Sequence, residues 1–267
     1  MESKRRRPIG IFDSGLGGLT VVKSIRKHLP WEDIIYFGDT ARVPYGNKSR
    51  STIVRFAREI MTFLMKQKAK AVIVACNTAS SLSLNVLKKL YPVPIIGVIA
   101  PGVKEALRVS DNRRIAVIGT KSTIASLSYQ NEILKRDKTV RVFSKSCPLF
   151  VSLVENRLID DAITYLAAEM YLKELKNKNI DTLILGCTHY PILKRVIRKV
   201  MGEINLIDSS SVVAKEARVL LQKNKIERAE AKRIGKISCF VSDDVEGFRR
   251  AAGIFLKEKI SVRKTVL

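Results

Sequence analysis

No two of the four cysteines, Cys76, Cys147, Cys187 and Cys239, form a Cys-x-x-Cys pair, and none keeps zinc-ligand spacing with a histidine. A dithiol redox centre is thereby excluded, and a disulfide framework or a metal site is not expected; a reduced, cytoplasmic protein is. No run of about 18 apolar residues exists, so no membrane span is expected. The basic start "MESKRRRPIG" leads into no apolar stretch of the kind a secretory leader carries. Aromatic residues are scarce at 6% and are not interleaved with basic ones as in single-strand binders. Nucleic acid is therefore not expected as the primary partner, despite a net charge of +24. Only three glutamines occur while Lys, Arg and Ile are plentiful, a balance seen in heat-adapted proteins. The glycines of "DSGLGGLT" (13–20) do not make G-x-G-x-x-G, and no G-K-[ST] completes a phosphate loop.

What is present is a succession of short apolar runs separated by segments of helical period, the pattern of α/β folds with parallel sheets. The runs are 9–12, 34–38, 71–75, 94–99, 115–119, 140–143, 182–186, 204–208 and 237–241. Two helices carry apolar stripes expected to face a core: Ile53, Phe56, Ala57, Ile60, Phe63 and Leu64, and then Ile163, Leu166, Ala167 and Met170. The last ten residues, mostly basic and polar, are expected to fray. "VIVACNTAS" (72–80) and "LILGCTHYP" (183–191) share a strand, a small residue, a cysteine and a Thr-containing turn. "IGIFDSG" and "IAVIGTKST" repeat at a similar offset, which predicts two similar lobes. The expected division is 1–99 plus 209–267 against 100–208.

In open α/β sheets ligands bind outside the carboxyl ends of the strands. Cys76 and Cys187 both fall there, each before an expected helix whose N–H groups would favour a thiolate. If an approximate twofold axis relates the lobes, the thiols face each other across a cleft. One could then remove a proton from a carbon and the other return one to the opposite face. Cys147 and Cys239 read as ordinary core residues. Asp13 and Ser14 follow the first strand; "GDTARVPYG" (38–46) adds Asp39, Thr40, Tyr45 and Gly46 at the same edge. His189, two positions after Cys187, and Asp13 are candidate proton partners, while His28 reads as a solvated helix-end residue.

With these segments in hand, "GIFDSGLGGLTV", "YFGDTARVPYG", "VACNTAS", "CPLFVSLVE" and "LGCTHYP" resemble the glutamate racemases. The resemblance implies two pseudo-symmetric flavodoxin-like lobes with mostly parallel sheets and an active site in the cleft between them. It implies cofactor-independent interconversion of L- and D-glutamate for peptidoglycan, with no metal. Cys76 would deprotonate D-glutamate and Cys187 L-glutamate, with Asp13 beside the first thiol and His189 beside the second. Ser14, Tyr45, Gly46, Asn77, Thr78 and Thr188 would hold the substrate's charged groups, and Glu155 would be auxiliary. Ser152 departs from the proline often found there, with only a local effect expected. A homodimer is implied. The alternatives left open are a racemase of aspartate or another amino acid, and a Cys-His amidase using Cys187 and His189.

Overall fold

The computed structural model describes residues 2–230, 233–256 and 260–267. The chain divides into two compact units, Met1–Val98 with Ser210–Leu267, and Ile99–Ser209.

The first unit contains β1 (Ile9–Asp13), β2 (Ile34–Gly38), β3 (Ala71–Val74) and β4 (Ile95–Gly97). The second contains β5 (Arg114–Gly119), β6 (Arg141–Ser146), β7 (Thr182–Gly186) and β8 (Asn205–Asp208). The returning segment adds β9 (Ile237–Val241) and β10 (Ser261–Lys264) to the first. The sheet orders are β10-β9-β2-β1-β3-β4 and β6-β5-β7-β8. Every pairing is parallel. The four strands β2-β1-β3-β4 and β6-β5-β7-β8 run in the same order relative to the chain, so the repeat seen in the sequence is a repeat of topology. It is the flavodoxin-like arrangement, in which the order reverses at the first strand.

Parallel strands buried on both faces read as continuous apolar runs, because successive side chains point to opposite sides and both sides carry helices. In the first sheet Ile9, Ile11 and Ile73 enter one core with the helices Leu19–His28 and Ser209–Lys223. Phe12, Val72 and Val74 enter the other with the helices Arg50–Lys66 and Asn77–Leu90. The stripe at 53–64 faces that core as expected, and Ser49 caps the helix by accepting the Thr52 N–H at 3.3 Å. In the second sheet Ala116, Ile118, Leu183 and Leu185 lie on one face, and Ile115, Val117 and Ile184 on the other.

Two expectations need correction. The C-terminus does not fray throughout: Ser261–Lys264 pairs with β9, from Ser261↔Ser238 to Lys264↔Val241. As an edge strand it buries only Val262, so its exposed Arg263 and Lys264 hide it from an apolar pattern. Of the second stripe only Ala167 faces the core. Ile163, Leu166 and Met170 are 52%, 70% and 59% exposed, and the helix Ala162–Lys176 instead buries Thr164, Ala167, Ala168, Leu172 and Leu175. Its inward face is made partly of small residues, which allow close packing but weaken the periodic signal. Leu172→Ala should therefore lower stability by about 2–5 kcal/mol, whereas Leu166→Ser stays within about 0.5 kcal/mol. Urea midpoints of the two variants check this sidedness.

Candidate active site

On the first unit, β1, β2 and β3 end in register, with Asp13 opposite Gly38 and Phe12 opposite Val74. Asp13, Asp39 and Cys76 are thereby delivered to one carboxyl edge. Cys76 is the N-cap of the helix Asn77–Leu90: its Sγ accepts the Ala79 N–H at 3.5 Å. The free N–H groups and positive end of that helix stabilise negative charge on sulfur. The Cys76 thiol also lies 3.8 Å from the Ser14 hydroxyl oxygen, and Asn77 and Thr78 are buried in the helix's first turn.

The loop after β1 is held in shape by its own contacts. Asp13 Oδ2 accepts the Gly15 N–H at 3.0 Å, and the buried Tyr36 hydroxyl donates to the Gly15 carbonyl at 2.6 Å. A Cβ at position 18 would stand 2.5 Å from Asp13 Cβ and 2.7 Å from the Tyr36 oxygen, so only glycine fits there. Tyr36→Phe leaves that carbonyl without this donor; a stability loss of about 1–3 kcal/mol is expected in urea unfolding, with a lowered kcat.

Asp39 is fully buried and organises the next loop. Its Oδ2 accepts from the Tyr45 hydroxyl and, at 2.7 Å, from Arg42 Nε, while Oδ1 accepts from the Ser242 hydroxyl at 2.9 Å. Arg42 also pairs with Glu59 and lies over the Phe56 ring, 3.9 Å from its centre. Burial and the Asp39 carboxylate push the Tyr45 phenol well above its usual range, so it stays a neutral donor. The turn Tyr45–Asn47 packs on the helix that Cys76 caps, which brings Tyr45 and the buried Gly46 to the same edge. Thr40 turns away and donates to the Asp243 carbonyl. Arg42, Glu59, Ser242 and Tyr36 were not singled out from sequence. Ser242 directly follows the apolar run 237–241, which puts it at a strand end, but its pairing with Asp39 comes from the sheet order.

On the second unit Gly119 and Gly186 are in register, and Cys187 follows β7. Cys187, Thr188 and His189 are all buried. Cys187 does not begin an α-helix: a 3₁₀ turn, Tyr190–Leu193, intervenes before the helix Lys194–Met201. Its neighbour is instead an imidazole, with His189 Nδ1 3.7 Å from Sγ. His189 Nε2 lies 3.3 Å from Glu155 Oε1, an ion-pair distance without hydrogen-bond alignment. Glu155 ends the helix Leu149–Glu155. That helix is fixed by Phe150, which meets Tyr190 and Tyr171 edge-on at 5.3 and 5.4 Å, and by the Tyr190 hydroxyl, which donates to the Cys147 carbonyl at 2.7 Å. Ser152 sits exposed within it, its carbonyl accepting from Asn156. Cys147 and Cys239 lie in the two units' cores, and burial pushes the Cys147 thiol up, which keeps it protonated and unreactive. His28 is half-buried at its helix end, Nδ1 2.9 Å from the Ser24 carbonyl.

The chain is thus a doubly built parallel α/β protein with one thiol at the equivalent strand end of each unit, one capping a helix and the other beside an imidazole. The model of the Asp/Glu/Hydantoin racemase family matches residues 17–217. A glutamate racemase of Persephonella marina is 46% identical over 259 residues, 97% of each chain. The crystal structure of a Bacillus anthracis glutamate racemase isoform superposes with a TM-score of 0.95 at 39% identity, covering 98% of both chains. That of the Francisella tularensis enzyme in complex with D-glutamate gives 0.91 at 40% identity, again over 98% of both. The chain belongs to the Asp/Glu/Hydantoin racemase family and is an amino-acid racemase. Among the described residues no helix is long and apolar enough to cross a membrane.

Proposed function

We propose that the protein interconverts L- and D-glutamate by proton transfer between Cα and the two thiols, Cys76 and Cys187. The observation that carries this reading is the equivalence of the two positions. Each cysteine follows the strand that pairs with the first strand of its own sheet, and each has a polar neighbour at the sulfur: the Ala79 N–H and the Ser14 hydroxyl for Cys76, the His189 imidazole for Cys187. The extensive likeness to glutamate racemases, one of them in complex with D-glutamate, favours glutamate as substrate.

The mechanism requires that both thiols reach one Cα. With L-glutamate, the Cys187 thiolate takes the Cα proton and the Cys76 thiol donates its own to the opposite face; the D-enantiomer leaves and the roles exchange. His189, with Glu155 behind it, tunes the second thiol, and Asp13 serves the first. Ser14, Tyr45, Gly46, Asn77, Thr78 and Thr188 offer donors to the carboxylates and ammonium. Fixed donors in a dry site stabilise the carbanion-like transition state without reorganising. We further propose that the reaction needs no cofactor, that D-glutamate is supplied to peptidoglycan in the cytoplasm, and that two copies of the chain associate.

The Cys187–His189–Glu155 order also suits a thiol amidase, but that reading gives Cys76 no part. Purified protein is to be incubated with L-glutamate, and separately L-aspartate, in deuterated buffer containing a chelator. Chiral chromatography and mass spectrometry should show D-glutamate carrying one solvent deuterium at Cα. Inversion of aspartate but not glutamate would move the substrate assignment; ammonia release from an amide with no inversion would replace the mechanism.

A further inference from the structure

The register of β2 and β9 brings two segments far apart in the chain to one place. Gly38 stands opposite Val241, so the residues that follow them, Asp39 and Ser242, leave the sheet side by side. Ser242 then acts as a bridge: its hydroxyl donates to Asp39 Oδ1 at 2.9 Å and accepts the Ala41 N–H at 2.9 Å. Thr40 adds a second tie, donating to the Asp243 carbonyl and accepting the Asp243 N–H at 2.9 Å. The start of the loop that carries Tyr45 and Gly46 is thus fastened to the returning segment after β9.

Asp39 passes that tie on to Tyr45. Its buried carboxylate accepts on both oxygens, from Ser242 on Oδ1 and from Tyr45 and Arg42 on Oδ2. Among the described residues Ser242 is the donor that holds Oδ1. A carboxylate turns easily about its last side-chain bond, so its orientation is set by the donors at its two oxygens. With Oδ1 left unsatisfied in a buried place, the group turns to find another donor and draws the Tyr45 hydroxyl with it. Arg42 resists that movement, because Glu59 and the Phe56 ring also hold it. Tyr45 has less to keep it still: its ring leans on Phe56, centres 5.6 Å apart, and its hydroxyl is fixed by Asp39. A phenol has one proton, and Tyr45 gives it to Asp39, so what the residue offers a ligand comes from its backbone and the oxygen's lone pairs. Both are aimed by the anchored ring, as is the buried Gly46 that follows in the same turn.

We propose that Ser242 is a positioning residue for substrate binding: through Asp39 it sets the turn that presents Tyr45 and Gly46. The inference rests on the reading that this turn binds the substrate. Ser242→Ala should raise KM for glutamate about tenfold and lower kcat by less than about threefold, the pattern of lost binding common to ground and transition states. Ser242→Thr keeps the hydroxyl and should return KM to within about twofold of the parent. Tyr45→Phe should raise KM by a similar factor, and adding Ser242→Ala to it should change KM by less than about twofold, because both act on one contact. A serine that only supports the fold would lower the urea midpoint and leave KM where it was. Hydrogen exchange gives a reading without substrate: the Arg42 and Lys48 amides, bonded to the Asp39 and Tyr45 carbonyls at 3.1 Å, should exchange faster in Ser242→Ala, by about tenfold or more, while the Val72 amide in β3 is unchanged. An unchanged KM, or two substitutions whose effects on KM multiply in full, would overturn the proposal. Parent protein inactive on glutamate would defeat the substrate reading instead, and exchange at Arg42 and Lys48 would then decide this one, unaltered rates overturning it.

Discussion

Cys76→Ser and Cys187→Ser should each lower the rate of glutamate inversion by about 10²–10⁴-fold, the span over which a positioned acid or base acts. A serine hydroxyl keeps the shape but has a far higher pKa than a thiol, so the helix end at Cys76 or the imidazole at His189 can no longer supply a base. The two losses should differ in kind when isotope exchange is read separately from inversion. With Cys76 replaced, Cys187 can still remove the proton of L-glutamate and return a solvent deuteron to the same face, so L-glutamate gains deuterium without inverting. With Cys187 replaced, D-glutamate should do the same. His189→Asn and Glu155→Gln should act on the Cys187 side: kcat falls more in the L-to-D direction, and KM less. Chiral chromatography with mass spectrometry of each enantiomer, from each variant, reads all of this. Inversion at unchanged rates in both serine variants would falsify the two-thiol mechanism.

The legible part of this protein is the part that repeats. Among the described residues the nine apolar runs fall on nine of the ten strands, because a parallel strand covered on both faces is mostly apolar, as in Leu183, Ile184 and Leu185 of β7. The thiols were visible for the same reason: each directly follows such a run and precedes small polar residues. What escaped lacks a local signature. Ser261–Lys264 is held by backbone pairing and one valine, so its side chains say nothing of a strand. The helix Ala162–Lys176 buries alanines and a threonine while showing Ile163, Leu166 and Met170 to solvent, which inverts the usual reading of an apolar stripe. The expected helix at Cys187 rested on analogy with Cys76. In its place a 3₁₀ turn containing Pro191 follows, and the neighbour of the sulfur is the His189 imidazole at 3.7 Å. Supports such as Tyr36 on Gly15, 21 residues apart, and Ser242 on Asp39, 203 apart, depend on the sheet order and cannot be read along the chain.

Lys70→Met alone should lower stability by about 3–5 kcal/mol, and Glu32→Gln with Lys70→Met together should recover most of that loss. The reason lies in what the buried pair does. Its side chains are 1% and 0% exposed, so neither charge is solvated by water. Burial pushes the Glu32 carboxyl up and the Lys70 ammonium down from their ordinary values, although each partner pulls the other the opposite way. Both shifts favour the neutral forms, which means that loss of solvation outweighs the mutual attraction. A pair of this kind adds little net stability, yet removing one member strands a buried charge. Its contribution is positional: it ties the carbonyl of Arg5 and the N–H of Arg228 to the bases of β2 and β3. The double variant should therefore regain stability, since the introduced amide keeps an oxygen for the Arg228 N–H and the introduced thioether chain fills the lysine's volume. It should still lose order around Arg5, where no donor replaces the ammonium. Urea unfolding of the single and double variants gives the coupling, and hydrogen exchange at the amides following Arg5 and at Arg228 reports the local loosening. A double variant as unstable as Lys70→Met would show that the ion pair itself, and not the stranded charge, carries the energy.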